Sequence, residues 1–564
     1  MSDAASTPSY ETLPPAANGR TPALRVGAVL LVALSLSIGW GVRGNWGHEF
    51  GAMIPGALAA MAVVLVAGRD DWYRRVGYFA FFGALGWSFG GSISYMMVIA
   101  YTHSGDIHFD FSRGGSAPST LYGFACLYLI GFVWGAMGGG GTALPAFLSR
   151  ERLTEFFPPL TLVFLAWLAQ ALVLGYLFAG SADDQVARFG EDGAARIAAL
   201  GEQLDVYDSD WLAALVALVV VAVYATARQR IDPATSLVLH LAIGWWLGFA
   251  ILTLTFGLRM TPPRGDNWSG ALGMTVGMFA WMWRERLLAA AWVALVSGLV
   301  GGLGFSGATF IKLMAVTSGW ETNWHSVLEQ TYGLINGLGI VLAMGYVSTR
   351  SPRVADEPPT RPWTDSYVVL FTLLVITFLN LRKNVEAVWL KNPGVFREGL
   401  EGQMYGLSID VWFLLAYALV AAALILLVWA HRHGRPMPLV PPTWLGRGQL
   451  LYLVFLWWIV IGNLSRTLPF EPQRLITEGV IHFNAVLCTV LVLWLPRPGE
   501  RAPVRAAAPY DQLLRRTAMG GLWAVVLIVA FQYAMTALVW GDQHAGHSGL
   551  HYRFRPLPTE SAAP

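Results

Sequence analysis

Long apolar stretches follow one another along almost the whole chain, and this pattern most restricts the folds available to it. Fifteen stretches can be marked, at 26–42, 50–67, 76–102, 121–148, 159–180, 211–227, 235–257, 268–283, 287–317, 326–348, 366–381, 410–430, 449–465, 475–495 and 517–540. A membrane-spanning helix needs about 20 predominantly apolar residues. Only 13% of the 564 residues are charged, against about 25% in soluble domains. The sequence predicts an all-α, polytopic transmembrane helical bundle of about 15 spans.

Basic residues are unevenly distributed among the connections, and this predicts the orientation. If the N-terminus is cytoplasmic, the inner segments hold 22 Lys and Arg against 13 Asp and Glu, and the remainder holds 15 against 22. Cytoplasmic loops carry an excess of Lys and Arg. The prediction is therefore N-in/C-out, with a disordered cytoplasmic tail at 1–25, an extracytoplasmic tail at 541–564, and a multi-pass location in the inner (cytoplasmic) membrane of a bacterial cell.

Similar short segments recur about 220 residues apart. Arg-Gly-Asn-Trp at 43–46 resembles Arg-Gly-Asp-Asn-Trp at 264–268, and glycine-rich stretches follow in the same order in both halves. This order predicts a parallel 6+6 internal duplication with 3 extra C-terminal spans: a first repeat at 26–230, a second at 231–435, and additional spans at 449–540. Parallel repeats occur in secondary transporters. The alternative is that glycine-rich membrane helices resemble one another without duplication.

Polar residues cluster at residues 39–56, between two apolar runs. Four of them lie within seven positions: Arg43, Asn45, His48 and Glu49. A charge at membrane depth costs about 2.5–3.5 kcal/mol, so it marks a functional site or a pairing partner. The arginine fork suits carboxylate or phosphate, which predicts that Arg43, Asn45 and Trp46 bind substrate. His48 and Glu49 could transfer protons, and they would be catalytic if the protein is an enzyme. The alternative is an interfacial turn whose charges snorkel or pair.

The second junction repeats part of this pattern with Arg264, Asn267 and Trp268. If the two copies face each other, these residues and the first junction flank one substrate site. Trp46 and Trp268 could then stack on a sugar ring or cap a cation. Tryptophan at this depth equally belongs to the aromatic belt of membrane proteins.

Further polar side chains occur toward the predicted outer ends of other spans, at Lys312, Glu329, Glu478 and His482. Glu478 and His482 are four residues apart and share a helix face. These residues are predicted to form a proton-coupling or polar network, and the alternative is interhelical hydrogen bonding that holds the bundle together. The histidines at 103–110 and 544–551 match no established zinc pattern. No metal and no cofactor are predicted.

The first functional hypothesis is a secondary transporter or permease for a small polar solute, either anionic or sugar-like. Its transport could be coupled to protons. The alternative is an integral-membrane transferase with an outward-facing active site that acts on a lipid-linked sugar or acyl donor. A second alternative is a non-catalytic membrane scaffold or sensor. The predicted partners are the lipid bilayer and the solute or lipid-linked substrate. A net charge of only +2 gives no reason to expect nucleic acid binding.

Overall fold

The described part of the chain is almost entirely α-helical in a computed structural model. The structure describes residues 24–46, 51–90, 95–102, 119–206, 210–258, 260, 267–316, 318, 320, 322–354, 361–384, 403–433, 446–467, 472–495 and 505–540. Its first ten helices are α1 (Val26–Trp46), α2 (Met53–Val66), α3 (Asp70–Tyr73), α4 (Val76–Gly90), α5 (Met96–Tyr101), α6 (Thr120–Phe147), α7 (Arg150–Thr154), α8 (Phe157–Phe178), α9 (Ala182–Val206) and α10 (Asp210–Arg228).

Ten more helices follow: α11 (Pro233–Gly248), α12 (Asn267–Arg284), α13 (Leu288–Val316), α14 (Trp324–Ser348), α15 (Trp363–Leu370), α16 (Thr377–Asn384), α17 (Ile409–Arg432), α18 (Arg447–Thr467), α19 (Pro472–Trp494) and α20 (Tyr510–Trp540). A π-helical segment at Phe249–Thr255 extends α11, and another at Phe371–Ile376 joins α15 to α16. The short strands β1 (Gln403–Met404) and β2 (Leu407–Ser408) pair as an antiparallel hairpin before α17.

Eleven helical segments in the described ranges are long and apolar enough to cross a membrane, and α2 and α4 are shorter apolar helices. Several of these segments bury little of themselves in the protein: 11% of the window in the segment ending with α8, 6% in α17 and 17% in α20. Their exposed leucine, valine and aromatic side chains are suited to contact with lipid. The predicted all-α class and a multi-pass membrane protein agree with these findings. The count of fifteen spans, the orientation and the duplication stay predictions.

One connection between the apolar stretches contains a helix of its own. Residues 181–210 lie between the stretches at 159–180 and 211–227, and the structure contains helix α9 there. The helix is interrupted at Gly190, whose φ of 74° lies in the left-handed region that glycine adopts without strain. Apolar runs do not predict this helix, because α9 is amphipathic and contains many polar residues.

Six helices form a closed ring at the centre of the molecule. Going around it, α1 packs on α2, α2 on α4, α4 on α6, α6 on α13, α13 on α14, and α14 returns to α1. The first predicted repeat supplies four of these helices and the second supplies two. The pair α11 and α12, which corresponds in the duplication to α1 and α2, packs together beside the ring. If the two halves are copies, their first helix pairs therefore occupy different positions, one within the ring and one beside it.

Small residues allow the ring helices to approach closely. A Cβ atom built on Gly131 of α6 would overlap the carbonyl oxygen of Gly301 in α13 and lie 2.7 Å from the Cβ of Phe305. The backbones of α6 and α13 thus touch without intervening side chains, as small residues permit in membrane helix pairs. The two cysteines lie in α6 and α19, and both Cys126 and Cys488 are buried free thiols.

The seam predicts a stability difference between two glycine substitutions. We expect Gly131→Ala to lower the free energy of unfolding by about 1–3 kcal/mol, the usual cost of overpacking. Gly307→Ala on α13 is the matched control, because nothing lies within 4 Å of its added Cβ. That control should be neutral or raise stability by about 0.5–1 kcal/mol. The temperature at which each variant loses its monodisperse state in detergent measures these differences. Equal temperatures for the two variants would contradict the close approach of α6 and α13.

The remaining helices pack around the ring. Helices α18 and α19 pack on each other and on α2 and α1, and α20 packs on α13 and α6. Helices α8 and α10 form a further pair beside α11. The ring is therefore shielded from lipid over much of its circumference, which makes its interior the best-buried part of the molecule.

Candidate functional site

A buried ion pair lies at one end of the ring. Arg43, near the end of α1, donates from Nη1 to Oε1 of Glu329, in the second turn of α14, over 3.1 Å. The side chains are 1% and 0% exposed. The start of α14 is held by Asn323, whose side-chain oxygen accepts a hydrogen bond from the backbone N–H of Ser326. This cap positions the first turns of α14 and hence Glu329.

Two more polar side chains complete the centre, which we call the Arg43 cluster: Arg43, Tyr95, His325 and Glu329. The Tyr95 hydroxyl donates to Glu329 Oε1 and accepts from Arg43 Nη1 at 3.2 Å. His325 Nε2 lies 3.2 Å from the same hydroxyl and 3.6 Å from Glu329 Oε1. Because the single phenolic hydrogen points to Glu329, the His325 contact requires the imidazole to donate from Nε2.

Aromatic rings surround the arginine. The guanidinium carbon of Arg43 lies 5.0 Å from the ring centres of Trp40 and Trp134, which stack on each other at 4.8 Å. Tyr332 and Phe305 extend this packing into the ring interior. A desolvated cation over an aromatic face gains about 2 kcal/mol or more. The site therefore suits a buried positive charge.

The predicted site residues are only partly brought together. The sequence predicts separate roles for Arg43 and Glu329, in substrate binding and proton coupling, whereas the structure joins them directly. The backbone of Asn45 and Trp46 belongs to the last turn of α1, but their side chains lie outside what the structure describes. His48, Glu49 and Arg264 also lie outside the described residues. Their predicted roles stay predictions.

The second junction is represented by Asn267 and Trp268 at the start of α12. Both side chains are buried, at 5% and 6% exposure. Helix α12 packs mainly against α11, whereas α1 packs against α2, α14 and α19. The principal contacts of the two helices are thus different, and a single site flanked by both junctions stays a prediction.

The other predicted polar residues belong to helices α13 and α19. Glu478 of α19 accepts a hydrogen bond from Asn463 Nδ2 of α18 at 3.0 Å, which ties two helices outside the ring. His482 Nδ1 bonds the backbone carbonyl of Glu478 at 2.8 Å. Lys312 of α13 is partly buried and has no hydrogen bond or ion pair within the described part of the chain. The Glu478 contacts match the structural alternative of interhelical hydrogen bonding.

Tyr95, Trp40 and Trp134 belong to the site but are not predicted from the sequence. No spacing pattern connects Tyr95 with Glu329, because 234 positions separate them. His325 does carry a readable signal, since it lies four residues before Glu329 on the same face of α14. Across the described segments, no group of three or more His, Cys, Asp and Glu side chains could hold a metal ion.

The opposite end of the ring is closed by a second ionic contact, which we call the Arg69 tie: Arg69, Asp71 and Ser351. Arg69 donates from Nε and Nη2 to the two carboxylate oxygens of Asp71, at 2.9 and 2.6 Å. Its Nη1 donates to the carbonyl and hydroxyl oxygens of Ser351, just beyond α14. The connection from α2 to α4 is thereby fastened to the end of α14.

Arg75 makes a similar fastening in the same connection. Its side chain is fully buried and donates to the carbonyl oxygens of Leu148, after α6, and Val354, after α14. Both ends of the ring are thus held by buried arginines.

Comparison with protein-family models, with curated proteins and with solved structures finds no match to this chain.

Proposed function

We propose that the protein is a secondary transporter that moves a small anionic solute together with protons. In this proposal the chain crosses the inner (cytoplasmic) membrane of a bacterium fifteen times, with its N-terminus inside, and the two six-span repeats descend from a duplication. The Arg43 cluster then lies toward the outer face and the Arg69 tie at the inner face. The anion binds to Arg43, and Glu329 carries the coupling proton.

The observation that carries this proposal is the ion pair between Arg43 and Glu329, buried among helices that are otherwise apolar. Removing one partner of a buried pair leaves an uncompensated charge and costs about 3–5 kcal/mol. Ionisable residues at membrane depth mark ion and substrate pathways or proton relays. Two helices of the ring supply the charges, so a change in their pairing acts directly on the packing of α1 against α14.

Protonation of Glu329 explains how Arg43 could exchange this carboxylate for a solute anion. A proton on Glu329 cancels the carboxylate charge 3.1 Å from Arg43, whose guanidinium also lies over Trp40 and Trp134. An anionic solute then restores neutrality by taking the place of the carboxylate, and a guanidinium binds carboxylate or phosphate with paired hydrogen bonds. Proton and anion therefore enter together. Tyr95 and His325, which contact the same carboxylate oxygen, are the groups that would deliver the proton.

Closure at both ends also supports a transporter. The cluster residues Arg43, His325 and Glu329 are at most 1% exposed, and Arg69 and Asp71 are each 4% exposed. Alternating access requires that each end open in turn while the other stays closed. Two separate buried ion pairs at the two ends of one ring are suited to that requirement.

Reconstituted liposomes can test this proposal. Purified protein is placed in liposomes loaded with a pH-sensitive dye, and small monocarboxylates, dicarboxylates, phosphate and neutral sugars are added outside at matched pH. We expect at least one anion to acidify the interior, because each anion carries a proton inward. Protein-free liposomes are the control for diffusion of the protonated acids. Exchange of a neutral sugar without proton movement would contradict the proposed role of Arg43.

The transferase alternative is favoured by one specific observation. Below the Arg43 cluster the ring interior is filled by Trp40, Trp87 and Tyr332, each buried, so the cluster stands on a packed aromatic floor. In that reading Arg43 binds a phosphate of a lipid-linked donor and Glu329 acts as general base. A transferase needs no sealed compartment. Consumption of a polyprenyl-phosphate sugar in detergent micelles, without proton movement in liposomes, would favour the enzyme.

A further inference from the structure

A groove of about 410 Å³ lies between α4, α15, α17 and α18, at the end of the bundle that carries the Arg69 tie. Most of its lining is apolar and comes from all four helices or their π-helical extension: Val76, Val368, Val369, Leu373, Leu427, Leu450, Leu451 and Val454. Ligand pockets typically measure about 300–1,000 Å³. The groove is thus large enough for part of a lipid-sized molecule and lies on the outside of the ring.

Helix α17 leaves this groove open on its lipid-facing side. Only 6% of its spanning window is buried, and Leu419, Leu426 and Trp429 are among its exposed residues. Near its other end, Tyr417 packs on Phe378 and Trp458, so the helix is attached there. In a bilayer, apolar surfaces separated in this way are filled by hydrocarbon, because neither water nor a void satisfies them.

The mouth of the groove is positively charged. Among the described residues, Arg74, Arg150 and Arg447 line it together with the carboxylate of Asp365, and Arg74 also pairs with the exposed Asp70 at 3.2 Å. Arg150 Nη2 lies 3.0 Å from each oxygen of Asp365, so that carboxylate is already neutralised by its neighbour. Arg447 is exposed, at the start of α18, and makes no ion pair with any residue that the structure describes. Arg447 therefore gives the described part of the mouth an excess of positive charge, which an anionic group can neutralise.

We propose that this groove binds an anionic phospholipid, with an acyl chain along the valines and leucines and the phosphate group at Arg447 and Arg74. In the orientation predicted from the basic residues, the mouth faces the cytoplasmic leaflet. Basic pockets between membrane helices on that side are suited to anionic head groups. The site is distinct from the Arg43 cluster and does not depend on the transport proposal.

Lipid binding to the purified full-length protein tests this proposal. Native mass spectrometry in a mild detergent is used to titrate phosphatidylglycerol, phosphatidylcholine and glycerol phosphate. We expect one saturable phosphatidylglycerol site, weaker binding of phosphatidylcholine and no binding of glycerol phosphate. Arg447→Ser should weaken phosphatidylglycerol binding about fivefold, as expected for one basic residue near an anionic head group. Arg447→Lys should restore most of that affinity.

Two further variants locate the bound lipid. Val369→Trp fills the groove and should weaken both lipids, whereas Arg284→Ser, an exposed arginine at the end of α12, should change neither. Equal affinities for phosphatidylglycerol and phosphatidylcholine would overturn the assigned head-group charge. Phosphatidylglycerol binding that survives both Arg447→Ser and Val369→Trp would place the lipid elsewhere. Glycerol phosphate binding as tight as that of phosphatidylglycerol would indicate a phosphate site rather than a lipid site.

Discussion

Replacing Glu329 by Gln is expected to abolish proton-driven accumulation of the solute, down to the level of protein-free liposomes. Glutamine keeps nearly the same shape and can still accept hydrogen bonds from Arg43 and Tyr95. It cannot take up and release a proton, and it leaves the Arg43 charge without its carboxylate. Exchange of labelled solute across the membrane, which needs no proton gradient, should persist. Parallel measurements of uptake with a pH gradient and of counterflow without one separate these two effects.

Glu478→Gln is the matched control, since Glu478 is also a buried carboxylate in an apolar helix and accepts one side-chain amide hydrogen bond. It lies in α19, outside the six-helix ring, so we expect proton-driven accumulation to continue. If Glu329→Gln still accumulates solute in response to a pH gradient, Glu329 is not the coupling group. Loss of coupling in the Glu478 variant alone would transfer that role to the α18–α19 pair.

Replacing Asp71 by Asn is expected to lower the free energy of unfolding by about 3 kcal/mol at neutral pH, within the range measured when buried ion pairs are broken. The variant leaves the Arg69 guanidinium buried, and its remaining acceptors in the described part of the chain are neutral oxygens of Ser348, Ser351 and Pro352. Asp70→Asn is the control in the same short helix. Asp70 is 38% exposed and pairs with Arg74 and Arg353, which are also exposed. Surface pairs of this kind contribute about 0–1 kcal/mol.

The pH dependence of this difference has a definite sign. Burial alone raises the pKa of Asp71, but the hydrogen bonds and the charge of Arg69 outweigh it and hold the pKa below its usual value. A carboxyl with a lowered pKa stabilises the fold above its unfolded pKa of about 4, and this contribution is lost as the pH falls through the folded pKa. The stability gap between the wild type and Asp71→Asn should therefore be constant above about pH 5 and narrow in acid. A gap that widens in acid would contradict this account.

The spacing of apolar residues was enough to predict the helical membrane class. It was insufficient for α9, whose residues are too polar to register as a span, and for the ring itself. Which helices meet depends on the fit of surfaces such as Gly131 against Gly301, 170 positions apart. Glycine content marks both helices as able to pack closely, but each has several glycines and many possible partners. The sequence therefore predicted the elements better than their arrangement.

Individual site residues were easier to predict than their pairing. Arg43 and Glu329 both stood out because charges are rare in apolar stretches, yet 286 positions separate them. The apparent repeat predicts that Arg264 shares a site with Arg43, and Arg264 lies outside the described residues. Tyr95 carries no charge and follows a glycine-rich segment, so nothing in its local sequence distinguishes it from an ordinary interfacial tyrosine. Tertiary contacts alone bring these groups together.

The glycine seam between α6 and α13 restricts the kind of motion that the ring can make. Around Gly131 and Gly301 the two backbones touch, so separation of α6 from α13 would remove many dispersion contacts at once. Sliding them along their common axis is opposed as well, because the rings of Tyr128 and Phe132 in α6 pack against Gly302 and Gly298 of α13. We therefore expect α6 and α13 to move as one unit, so that any change of shape takes place at other contacts of the ring. A covalent cross-link across the seam should then leave that motion and both charged ends unaltered.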